Sequence, residues 1–173
     1  VAAAGNSGDY DLHASAGLLH GSHEVTLRLV HHDVPVAQSG VSLELYYDAL
    51  APPLDGGVAE LTVVLRSPKG VRFEVPMGQS LQATFEDEGE AVIDATDLAA
   101  TGLRGVLITL QSPPGKAPPK EGDWHLELRG KTRRYDLWRV VQSDDLEVAL
   151  RGHLDPDGYV GIPASASQVV SVG

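Results

Sequence analysis

Gly5-Asn6-Ser7-Gly8 sets a primary amide among the smallest residues, and His20-Gly-Ser-His23 sets two imidazoles beside a hydroxyl. Small residues around Asn6 let another backbone approach closely, so the amide could donate a hydrogen bond to a bound group. The same tetrapeptide also suits an ordinary turn with Asn6 in the left-handed region. Histidines raise the question of zinc, since His20 and His23 could share an ion with His13. His31 and His32 would point to opposite faces if one strand carries both. A zinc site needs converging ligands and a second shell that holds them, and loop or surface histidines explain the pattern with fewer conditions.

Two acidic stretches, Glu86-Asp-Glu-Gly-Glu90 and Asp155-Pro-Asp157-Gly158, offer hard oxygen ligands for calcium. Neither has the spacing of an EF-hand loop, and a solvated acidic turn accounts for each. Beyond that candidate calcium, no cofactor or metal is expected. The basic run Arg129 to Arg134 suits either an anchor for an acidic partner or the charged edge of a hairpin. Tyr135 and Trp138 fall three apart and so face opposite ways on a strand, which makes no platform for sugar stacking. No G-x-S-x-G elbow occurs.

The elements that must position these groups read as strands. Val25–Val30 and Val41–Tyr46 alternate apolar with polar, and Leu61–Arg66 and Val71–Val75 flank the turn Ser67-Pro-Lys-Gly70. Pro68 presets φ there, and Gly70 accepts a positive φ. Further candidates are Leu81–Phe85, Ala91–Asp94, Gly105–Leu110, Trp124–Arg129, Arg134–Val141 and Glu147–Leu150, separated by glycine- and proline-rich turns. Many short strands of period two predict a mainly β chain, an antiparallel jelly-roll sandwich. Asp94–Leu103 suits at most a short helix capped by Asp94 or Thr96, and Ser112–Lys120 an exposed Pro-rich loop.

At 173 residues the chain suits one domain, or one domain plus parts of another. With 24 acidic and 13 basic side chains its net charge is −11, a surface that repels nucleic acid phosphates and anionic membranes. Neither is expected as a partner. The absence of cysteine removes disulfides and thiolate metal sites and leaves the redox compartment open.

The two ends have a different character. Val1-Ala-Ala-Ala-Gly-Asn-Ser-Gly8 and Ile162-Pro-Ala-Ser-Ala-Ser-Gln-Val-Val-Ser-Val-Gly173 each join an apolar strand to a small-residue turn without alternation. Such strands are buried on both faces in parallel sheets, yet the middle of the chain offers nothing to build one. The first segment resembles the oxyanion-asparagine strand-turn of subtilisin-like serine proteases, A-A-G-N-x-G. The second is similar to the family segment that follows, P-A-x-A-x-x-V-I-x-V-G. A domain-sized stretch in place of the usual short loop resembles the subgroup that includes the spore-germination subtilases, which carry a jelly roll here. Within the middle, Ala59-Glu-Leu-Thr-Val-Val-Leu-Arg-Ser-Pro-Lys-Gly70 and Gly122-Asp-Trp-His-Leu-Glu-Leu128 look like strands of the P domain of kexin and furin proteases, with Glu60 in place of the usual Asp.

The resemblance implies three parts: residues 1–12 as a subtilase strand and oxyanion turn, 13–156 as an inserted P-domain-like jelly roll, and 157–173 as the returning strand of a truncated α/β core. It implies that Asn6 donates to the oxyanion of the tetrahedral intermediate in the parent enzyme. The triad Asp, His and Ser would lie outside this chain, so this piece alone would be inactive. His20-Gly-Ser-His23 resembles the catalytic His-Gly-Thr-His segment but follows Asn6, the wrong side in family order. His13 resembles a histidine that often follows the Gly-Asn-x-Gly turn in the inserted subgroup, with a structural role. Expected partners are the remainder of the catalytic domain and a peptide substrate, and the parent would suit a secreted or extracytoplasmic setting, though no residue fixes the compartment. The alternative is a free-standing β-sandwich module that binds carbohydrate or protein.

Overall fold

The computed structural model describes residues 2–3, 13–16, 21–34, 36–49, 61–85, 87–96, 103–130, 132–153 and 171–172. These residues form strands joined by turns, with no helix among them. The strands are β1 (Ala2–Ala3), β2 (His13–Ala16), β3 (Gly21–His31), β4 (Gly40–Ala49), β5 (Leu61–Arg66) and β6 (Arg72–Pro76). Then follow β7 (Ser80–Phe85), β8 (Gly89–Asp94), β9 (Leu103–Gln111), β10 (Gly122–Gly130), β11 (Thr132–Gln142), β12 (Leu146–Arg151) and β13 (Ser171–Val172).

Two antiparallel sheets make a sandwich, one ordered β12-β3-β10-β5-β6 and the other β2-β11-β4-β9-β8-β7. Consecutive strands repeatedly change sheets, β3 to β4 to β5 and β9 to β10 to β11 to β12, which is jelly-roll winding. Period two explains which side chains meet. In β3, Val25, Leu27 and Leu29 point inward, opposite Leu126, Trp124 and Gly122 of β10. Leu43 and Leu45 of β4 and Ile108 of β9 face them from the other sheet. Trp124 is fully buried, edge-on to Phe85, with its Nε1–H donated to the Lys120 carbonyl at 2.9 Å. That satisfies the polar atom that burial would otherwise leave without a partner.

Several expectations change. The four-residue β2 is too short to show an alternating pattern, and its pairing with β11 sets it. The basic run does not edge a hairpin: β10 lies between β3 and β5, and β11 belongs to the other sheet. Pro119 of the Pro-rich loop is buried, because Gly89 closes beneath it. For the proposed short helix, Asp94 ends β8 and Leu103 opens β9, while 97–102 lie outside the described residues. At the end of β8, Asp94 accepts from the Thr96 amide at 3.0 Å and from its hydroxyl at 2.5 Å, a local turn contact.

A separate two-stranded parallel sheet joins the ends, Ala2 opposite Ser171 and Ala3 opposite Val172.

Candidate functional site

The first strand of the sandwich, β2, and the segment just past its last strand, β12, meet at one neck. β2 occupies the edge of one sheet and β12 the edge of the other. Just past β12, the His153 carbonyl accepts the Ser15 amide at 2.8 Å, so the incoming and outgoing backbones are tied together. Beyond that tie, β1 and β13 run side by side. Asn6, with Gly5, Ser7 and Gly8, lies outside the described residues, as do His20, Glu86, Asp155 and Asp157.

His13 opens β2, fully buried although it sits on an edge strand. Its ring stacks on Trp138 of β11, centroids 3.8 Å apart and planes within 11°. Its Nε2 lies 3.0 Å from Asp136 Oδ1, and Asp136 also accepts Nε and Nη2 of Arg134 at 3.1 and 2.9 Å. Burial alone would raise the Asp136 pKa. Hydrogen bonds from His13 and Arg134 outweigh it and hold the carboxyl below its ordinary range. The arrangement orients a side chain and pins a strand, which is a structural role.

His23 and His153 form a second cluster at the neck. Their rings stack at 4.7 Å with planes 12° apart, and the fully buried Tyr135 meets both edge-on. Burial, then the charge of Asp136, pushes the Tyr135 phenol up to about 12. The ring neighbours of His23 are Tyr135 and His153, and His20 lies outside the described residues.

The other candidates separate. His31 contacts the Pro119 carbonyl at 2.7 Å and faces Asp145, while His32 reaches Glu147 at 3.2 Å. No three metal-ligating side chains converge among the described residues. Tyr135 points into the core and Trp138 to the outer face, as their spacing requires. Arg129 grips Glu127 through Nε and Nη2 at 2.8 and 3.0 Å and also reaches Glu74.

In the first acidic stretch Asp87 is exposed as a solvated turn requires, but Glu88 and Glu90 are buried. Glu88 is buried, accepting from the Ser67 hydroxyl at 2.7 Å and the Lys69 amide at 3.0 Å. It thereby fastens the Ser-Pro-Lys-Gly turn to the opposite sheet. Glu90, also buried, accepts from Gln111, Gln82 and Thr84, and Asp87 pairs with Lys69. The sequence carries a faint signal for Glu88 alone: Gly89, which follows it, takes φ 89° and closes the turn that holds it. The His23–His153 stack has no comparable signal, because 130 positions separate its members.

No protein-family model matches the chain, and a search of curated protein sequences finds no match. Among solved structures the chain resembles the CspB protease of Clostridium perfringens, with a TM-score of 0.71 and 19% identity over 99% of this chain. The match spans 33% of that protease. At this identity the likeness is one of fold: the sandwich and its paired ends have the architecture of one third of a protease.

Proposed function

We propose that this chain is part of a subtilisin-like serine endopeptidase, carrying a non-catalytic jelly roll between the oxyanion strand and its successor. The supporting observation is topological. The sandwich returns its chain to the place it left, with β1 parallel to β13 and Ser15 bonded to His153. Closely spaced termini are what allow a domain to be inserted without disturbing its host. The fold shared with a third of a protease supports the same reading.

In this reading residues 1–12 and 157–173 belong to the catalytic body and 13–156 to the insert. The triad that attacks the peptide bond lies outside the chain. Asn6 supplies an amide N–H to the oxyanion as the tetrahedral intermediate forms. Such a donor stabilises the transition state by about 3–4 kcal/mol, and subtilisin's own asparagine is the case for which that figure is known. The insert stabilises the body, limits substrate access or docks a partner.

The test is made in the whole parent enzyme. Asn6→Ala should lower kcat about 10²- to 10³-fold with little change in KM, because the donor acts in the transition state. A parent that keeps its kcat within about threefold lacks this role for Asn6. Excising residues 18–156 should change stability or substrate range, and an unaltered enzyme contradicts a role for the insert.

A further inference from the structure

At the neck the imidazole of His153, whose carbonyl ties Ser15 of β2, stacks face to face on that of His23. We propose that His23 and His153 form an acid-released latch: neutral, they hold β2 against the segment that follows β12, and protonated, they part and loosen that tie. The inference does not depend on the protease assignment.

Four observations carry it. The rings lie 4.7 Å apart and nearly parallel, so charging both sets two cations face to face. The Nδ1 of His23 is buried with no hydrogen-bond partner among the described residues. With the neutral ring in its Nε2–H tautomer that nitrogen is an unused acceptor, whereas protonation makes it an N–H donor with no acceptor, the costlier state. His153 itself sits at φ 54°, a left-handed conformation unusual for a residue with a Cβ, so the closed arrangement holds it against its own preference. And the His153 carbonyl is the acceptor for Ser15, so moving His153 opens the backbone tie.

Among the described residues no carboxylate pairs with either imidazole, and His153 itself is exposed. From β11, Tyr135 meets the pair edge-on, with Asp136 behind it held by His13 and Arg134. From β10, Leu128 lies opposite His23 in register. Glu24, next along β3, is engaged by His125 and Arg66, and Arg151 ends β12. Burial, and after it the charge of His153, holds the His23 imidazole below its ordinary 6.5. For a base, a depressed folded value means that the closed state is favoured above 6.5 and loses ground as pH falls below it.

Amide hydrogen exchange on the 173-residue chain reads the latch at Ser15. With intrinsic rates corrected, protection of the Ser15 amide should fall several-fold between about pH 7.5 and 5, while Leu27 in the core stays constant. His153→Asn tolerates the left-handed backbone and removes the charge, so its Ser15 profile should be flat. His23→Phe keeps a stacking ring without a proton and should flatten it as well. A flat profile in the unmodified chain overturns the proposal. So does an undiminished fall in both variants, or a fall that Leu27 shares equally.

Discussion

Glu90 shows how much a single side chain on a sheet face can be asked to do. Its carboxylate accepts from two glutamine amides and a threonine hydroxyl on the flanking strands, with no cation in the set. Hydrogen bonds from Gln111 and then Gln82 lower its pKa from the ordinary 4.5, against the opposing effect of burial. A depressed carboxylate contributes stability that is present above 4.5 and lost as pH falls below it. Glu90→Gln keeps an acceptor but cannot take up that proton. The gap in urea midpoint between the unmodified chain and Glu90→Gln should therefore narrow as pH drops from about 6 to 3. A gap independent of pH would show that the charged form of Glu90 is not what binds the three donors. Nothing in the residue order announces this network, because Gln82, Glu90 and Gln111 meet only once β7, β8 and β9 are in register.

At the level of elements, the strands were legible and their partners were not. Alternation marks β3, β4 and β10 because each has one face in the core, so period two survives in the composition, whereas β5 buries Val63, Val64 and Leu65 in a row. β2 is invisible to the same argument, since His13-Ala-Ser-Ala16 has four residues and a histidine at the buried outer position. The basic run misleads because charge density looks the same on a central strand's outer face as on an edge. On β10, Arg129 pairs with Glu127 of its own strand and with Glu74 of β6, and Asp123 pairs with Arg28 of β3. Val64 is buried at the floor of a hollow walled by Arg66, Arg72 and Arg129, whose aliphatic stems suit that position. Turns are more decisive than exposed ion pairs here. Gly89 has φ 89°, and a Cβ there would stand 2.9 Å from both the Gln111 carbonyl oxygen and the Pro119 nitrogen. Gly89→Ala should destabilise the fold by about 1–3 kcal/mol through strain in a positive-φ turn. Thermal melting would register it, and an unchanged melting temperature would mean that the Pro-rich loop does not pack on this turn.

For the molecule as a whole, the sandwich came from pattern and the neck from geometry. Terminal segments without alternation mark themselves as foreign to an antiparallel sandwich, which is why the ends could be paired on paper. The tie between Ser15 and His153 and the two stacked ring pairs that brace it could not be, since they join positions more than 120 residues apart. The account rests on the two ends lying side by side, and a disulfide tests that without an assay. The chain has no cysteine, so the double variant Ala3→Cys/Val172→Cys can form a single intramolecular bridge. Those positions face each other in parallel register, and adjacent strands at about 4.8 Å lie within disulfide reach. Mild oxidation at low protein concentration should close the bridge in nearly all molecules, read as lost thiol alkylation and faster non-reducing mobility. Thiols that stay free in a folded chain would place the ends apart and contradict the inserted-domain account.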